Sequence, residues 1–165
     1  MAIRDIILYP DPILKTYCDP IASMDEEVDA LVQDLIDTMV AAGHSVGVAA
    51  PQIGVTRQAV VVDVSKSKLG RDNNHGLLIM INPQIIEREG RKEMREGCMS
   101  IPDYTGNVPR AERIVVQFQD RDGNQQVIGA NGFEAVALQH ELDHLEGLLF
   151  LDRVCSIKTD IFRRK

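Results

Sequence analysis

Gln139-His140-Glu141-Leu142-Asp143-His144 contains a His-Glu-x-x-His. On a helix the two histidines fall one turn apart on one face, where both imidazoles can reach a single metal ion with Glu141 beside them as a base. Working outward, Asn131 can cap a helix that runs to about Glu146 and stops at Gly147. At helical spacing Phe133, Val136, Ala137, His140 and His144 share one face, and Leu138, Leu142 and Leu145 lie nearly opposite. Because a helix apolar on two opposed faces is buried on both, the expectation is a central helix, packed on the core through its leucines and facing a pocket through its histidines. For the pentapeptide alone, two surface histidines on an ordinary helix are the plainer alternative.

A catalytic site of this kind needs three protein ligands and an open position for water. In the metzincin pattern a third histidine stands six residues after His144, but that position is Phe150, although Gly147 is correctly placed. Thermolysin-type proteases take a glutamate farther downstream, and among the 21 residues that follow His144 the only glutamate is Glu146. The third ligand therefore has to come from upstream. Cys98 is the best candidate, since a thiolate binds Fe(II), Co(II), Ni(II) or Zn(II), and Gly97 before it with Pro102 after it suits a strand-to-loop junction that presents the sulfur. A buried inert cysteine is the competing reading. His44, His75 and the carboxylates stay open as ligands.

The rest of the chain reads as a frame for this helix. Residues 1 to 22, broken by Pro10, Pro12 and Pro20, read as an extended arm with turns, and Cys18 in it as a bland buried or half-buried thiol. Ser23-Met24-Asp25-Glu26 is a capping box, followed at helical spacing by Val28, Leu31, Val32, Leu35 and Met39 until Gly43. His44 then reads as a helix-end or surface residue. In Ser45 to Gln52 the small Gly47, Ala49 and Ala50 allow a ligand or another segment to approach the main chain closely, and Gln52 offers an amide at a fixed place. Strands are expected over Gln58 to Val64 and Gly76 to Ile86, with polar Lys66 to His75 as a loop and His75 exposed to solvent. Glu112 to Gln119 and Gln125 to Gly129 form a hairpin around Arg121-Asp122-Gly123-Asn124. Locally joined strands with two or three helices point to an α+β fold, antiparallel or mixed sheets around the central helix, rather than a doubly wound parallel sheet.

With 165 residues, 44% of them apolar, the chain is expected to be a single catalytic domain over 1–165 with a core and a pocket. A net charge of −7 argues against nucleic-acid binding through the whole surface. Three cysteines without close spacing do not make a disulfide framework. The start, Met1-Ala2-Ile3-Arg4-Asp5, lacks a signal-peptide pattern and no run of apolar residues is long enough to span a bilayer, so a cytoplasmic location without membrane contact is expected. The tail from about 153 to 165 is basic, with Arg153, Lys158, Arg163, Arg164 and Lys165 against Asp160, and reads either as a solvated terminal helix or as a contact surface.

Three segments together, Ser45 to Gln52, Glu96 to Ser100 and Gln139 to His144, resemble the motifs G-x-G-x-A-A-x-Q, E-G-C-x-S and Q-H-E-x-D-H of the peptide deformylase family, in the family's order. Gly106, Val108 and Arg110 extend the match. Ser45 stands where the family usually has glycine, and Val48 and Met99 where leucines are common; none of these removes a reacting group.

The resemblance implies a bacterial-type cytoplasmic enzyme, expected as a monomer, that hydrolyses the formyl group from N-formylmethionyl nascent peptides. It implies one divalent metal per chain, Fe(II) first with Zn, Ni or Co as alternatives, held by Cys98, His140 and His144. Glu141 would act as general base and acid, and Gln52 with the Met99 backbone N–H would stabilise the oxyanion. Val46, Gly47, Phe133, Val136 and Ala137 would hold the methionine side chain, while Glu96 and Arg110 would brace the ligand loop. In some family members a basic C-terminal element contacts the ribosome, which gives the tail a candidate role. The competing functions are a metallopeptidase cleaving internal peptide bonds and a non-catalytic metal-binding protein.

Overall fold

The structure, a computed structural model, describes residues 2–164. Five antiparallel strands form the larger sheet: β1 (Gly47–Ala49), β2 (Ala59–Val62), β3 (Leu78–Glu89), β6 (Arg113–Gln119) and β7 (Gln125–Asn131), adjacent in that order. A smaller sheet pairs β4 (Lys92–Cys98), β5 (Ile101–Arg110) and β8 (Ile161–Arg163), again antiparallel. Helices α1 (Glu26–Ala42), α2 (Gly132–Leu145) and the short α3 (Ile157–Asp160) complete the α+β architecture.

The larger sheet is covered on both faces. Val60 and Val62 pack with Met80, Ile114, Val116 and Phe118 against Ala135, Leu138, Leu142 and Leu145 of α2. Their neighbours Ala59 and Val61 point the other way, into Val28, Leu31, Val32, Leu35 and Met39 of α1. Alternation along β2 thus feeds two cores, which is why Ala59-Val60-Val61-Val62 is apolar at every position. A third cluster of Leu14, Cys98, Ile101, Val108, Leu149 and Phe150 lies under the smaller sheet. The α2 helix is wedged between these layers, with every residue from Glu134 to Leu145 buried.

Several local details depart from the sequence reading. Helix α1 is capped by Asp25, whose carboxylate accepts the Val28 N–H at 2.9 Å, so it begins two residues beyond the Ser23 cap. The charged acceptor has the added advantage of the helix dipole. Asn131 occupies the N-cap position of α2 without a capping side-chain bond; its side-chain oxygen instead accepts from Asn73. Strand β3 runs to Glu89 because a bulge at Asn82, φ 50°, lets it bend from β2 onto β6. His75 is exposed, as expected, but its backbone N–H and its Nδ1 also meet the buried Glu134 carboxylate, tying the polar loop to the start of α2.

Only part of the basic tail is a solvated helix: α3 is four residues long and largely exposed, and the chain then continues as β8, which pairs with β5 through Tyr104↔Arg163, Thr105↔Phe162 and Gly106↔Ile161, while Arg153 is engaged by Asp143 at 2.9 Å. An alternating Ile161-Phe162-Arg163 can add to an open sheet edge, which satisfies backbone groups that a four-residue helix cannot. Lys165 lies outside the described residues.

Candidate active site

The β4–β5 hairpin turns at Met99-Ser100, with Cys98 opposite Ile101, and this puts the Cys98 sulfur against α2. There it meets His140 and His144, and one ligand atom from each of the three lies within 4.8 Å of the others. Among the described residues this is the one such cluster, and all three members are buried. Cys98 Sγ is 3.5 Å from His144 Nε2. Neither His44 nor His75 joins it: His44 lines the cleft nearby and His75 is held by Glu134. Phe150, which stands where a metzincin would place its third histidine, instead stacks on the His140 ring at 6.4 Å between centroids.

Behind the cluster runs a chain of buried charge. Glu96 accepts Arg110 Nε and Nη2 at 2.8 and 2.9 Å and contacts His140 Nδ1 at 2.9 Å. Arg110 Nη1 reaches Asp143 at 2.5 Å, and Asp143 also takes Arg153. Burial works to raise the Glu96 pKa, but the hydrogen bonds with Arg110 and His140 overcome it and leave the carboxylate below its ordinary range. With Nδ1 of His140 oriented by Glu96, Nε2 is the nitrogen left for a ligand. The sequence named Asp143 only as the aspartate of the Q-H-E-x-D-H motif and Arg153 only as part of the basic tail, and gave neither a role at the site.

Glu141 lies across the backbone of β1. A Cβ on Gly47 would sit 2.7 Å from Glu141 Oε2, so the close approach foreseen for this small-residue segment is made by the carboxylate itself. Ser45, in place of the family's glycine, donates its hydroxyl to Gly47 O at 3.0 Å and steadies this turn. Glu141 Oε1 is buried without a hydrogen-bond partner, and burial pushes the Glu141 pKa up to about 7. Gln52 is fixed by the Ala49 N–H on its Oε1 at 3.0 Å, which aims Nε2 at Ser100 Oγ (3.1 Å) and Cys98 Sγ (3.5 Å). Ser100, named only as the serine of the E-G-C-x-S motif, had likewise been given no role.

These groups line one end of a cleft of about 500 Å³, a size suited to a small ligand or a peptide end. Val46, Gly47, Phe133, Val136 and Ala137 form apolar wall beside Met99, Gln52 and Glu141, whereas His144 and Arg110 stand behind the lining. The donor set fits a divalent transition metal: a soft sulfur, two imidazoles, and a carboxylate beside them left without a partner. Against the cost of burial, contacts with Cys98 and Glu96 hold the His140 pKa well above its ordinary value, and the same negative surroundings favour a cation. Burial, then repulsion from His140 and Arg110, lowers that of His144 and keeps it neutral, the ligating form.

An α+β frame with a Cys-His-His cluster, a buried carboxylate and an apolar-walled cleft fits the class of metal-dependent hydrolases. The polypeptide deformylase family model matches residues 3–160. A curated peptide deformylase from Syntrophobacter fumaroxidans is 45% identical, covering all of this chain and 94% of that protein. Crystal structures of peptide deformylases from Legionella pneumophila (39% identity, TM-score 0.86, 95% of this chain and 89% of that one) and from Ehrlichia chaffeensis, the latter in complex with actinonin (34%, 0.88, 96% and 92%), share the fold. The chain belongs to the polypeptide deformylase family, enzymes that remove the N-formyl group from nascent peptides by metal-dependent hydrolysis. No described helix is long and apolar enough to cross a membrane.

Proposed function

We propose that this chain is one catalytic domain in which Cys98, His140 and His144 hold Fe(II) and Glu141 performs the proton transfers of formyl-amide hydrolysis on N-formylmethionyl peptides. The observation that carries this reading is the partnerless Glu141 carboxylate, buried beside the Cys-His-His cluster at the end of an apolar cleft. When bound, the metal supplies Lewis acidity toward the water and the formyl carbonyl. Glu141 takes the water's proton and returns it to the amine nitrogen as the C–N bond breaks, releasing formate and a free N-terminus. Burial pushes its pKa up, which favours the proton-carrying form it takes between the two transfers. Gln52 Nε2 and the Met99 N–H in the hairpin turn donate to the developing oxyanion. The methionine side chain lies along Val46, Gly47, Phe133, Val136 and Ala137, whose small or flat surfaces admit an unbranched thioether.

Glu96 holds His140 from behind, and Arg110 holds Glu96 in turn, so the ligand geometry is set before substrate arrives. We also infer a cytoplasmic monomer whose exposed Lys158 and Arg163 are available to ribosomal RNA. Cosedimentation unchanged by Lys158→Glu with Arg163→Glu removes that role. The central test is formate release from a formyl-Met tripeptide by anaerobically purified protein, with metal analysis of the same sample. Turnover with about one iron per chain is expected. Casein cleavage without formate release, or no turnover in any metal form, overturns the reading.

A further inference from the structure

The whole chain carries a net charge of −7, yet the exposed charged groups among the cleft's lining residues are guanidiniums. Arg95 on β4 and Arg164 after β8 line the same cleft as Cys98 and Glu141, and both are exposed. The carboxylates in the lining, Glu96 and Glu141, are 7% and 4% exposed, and Glu96 is already engaged by Arg110 and His140. Among the described residues, neither Arg95 nor Arg164 forms an ion pair.

Both guanidiniums are nevertheless held in place. Arg95 lies 3.7 Å over the Phe162 ring and donates from Nε to Asn107 at 3.2 Å. Arg164 is fixed by its backbone N–H on Asp103 O at 2.8 Å, and its guanidinium lies so close against Gly97 that any Cβ there would collide with Nη2. Arg164 thus stands one residue from the Cys98 ligand. Arg95, three residues before Cys98, is about 10 Å up the strand at roughly 3.3 Å per residue, the span of three residues of an extended peptide.

If, as proposed above, the formyl end lies at Cys98 and the methionine on the apolar wall, a peptide extended along β4 passes Arg164 and then Arg95, which line the same cleft. We propose that Arg95 and Arg164 select substrate peptides that carry a carboxylate on the third residue. Guanidinium suits the task, since it stays charged and matches carboxylate geometry. The inference rests on the deformylase reading.

The test is kcat/KM for formyl-Met-Ala-X-amide with X as Asp, Ala or Lys, the amide ensuring that the only carboxylate is the side chain; formyl-Met-Ala-Ala as free acid measures a terminal carboxylate separately. An exposed pair contributes up to about fivefold, so the Asp peptide should exceed the Lys peptide by about tenfold, chiefly through KM. Arg95→Ala and Arg164→Ala should each lower that ratio about threefold, the double variant should bring it near one, and Arg→Lys at either site should restore most of it. Raising salt to 1 M, where screening acts over about 3 Å, should also flatten it. Equal kcat/KM for Asp and Lys peptides, or a preference that survives in the double variant, overturns the proposal. A preference for the free acid without one for Asp overturns it as stated and assigns the rim to a terminal carboxylate. Absence of turnover on every peptide is distinct: it overturns the deformylase reading and this inference with it.

Discussion

The two halves of the site are held by different forces. His140, Glu141 and His144 ride on α2, which is fixed by the apolar packing of Ala135, Leu138, Leu142 and Leu145 against the larger sheet. Cys98 rides on a hairpin of the smaller sheet, anchored to α2 by Glu96, Arg110 and Asp143. Apolar packing is non-directional and tolerates modest change, whereas a buried ion chain fixes orientation but is costly to break at one member. The helix half therefore supplies a rigid base, and the hairpin half is aligned to it by directed hydrogen bonds.

Four substitutions or measurements probe this contrast, beginning with the largest effect. Glu141→Ala should retain metal while turnover falls about 10²- to 10⁴-fold; near-normal turnover in steady-state assays removes Glu141 from the chemistry. Gly47→Ala puts a methyl group into the Glu141 carboxylate, which is 2.7 Å away. Displacement on that scale should reduce kcat by up to about 10²-fold without loss of metal. A crystal structure of the variant with Glu141 unmoved contradicts this.

The third comparison sets Arg110→Ala against Leu142→Ala. Removing Arg110 leaves Glu96 and Asp143 buried without their shared partner, at about 3–5 kcal/mol in stability and about 10- to 100-fold in metal affinity. Leu142→Ala should cost about 2–5 kcal/mol through its cavity, with metal affinity nearly unchanged. If denaturant melts and metal titrations give the same pattern for both, the halves are not held differently. The smallest effect is in thiol labelling. Exposed Cys155 should react at once, whereas Cys18, fully buried and with its pKa pushed up to about 11 by burial and then by Asp19, should react only on unfolding. Mass mapping of the alkylated sites at pH 8 checks the order.

The two halves also differed in how far the sequence disclosed them. Helix α2 was legible because a period of 3.6 residues is a local property, and both its leucine face and its histidine face follow from spacing alone. In the hairpin, composition and spacing marked only a place where Cys98 could be presented, and the bracing by Glu96 and Arg110 was implied by the family resemblance alone. β4 and β5 alternate poorly, with Glu96 and Arg110 turned inward, because their buried charges satisfy one another across strands. No window of sequence reveals a pairing between residues 14 apart on one sheet and a third on a helix.

By itself, then, the sequence determined the elements whose logic is local: the two-faced helix, the apolar strand β2, the small residues at Gly47 and the family motifs. The sequence favoured Cys98 over His44 and His75, and the tertiary structure brings it to the two helix histidines; only the tertiary structure decided that the basic tail returns as a strand and that Arg164 joins the lining of the cleft. The reason is physical. Periodicity and steric freedom act between near neighbours, whereas strand pairing and buried ion pairs join positions whose separation along the chain carries no signal of their contact.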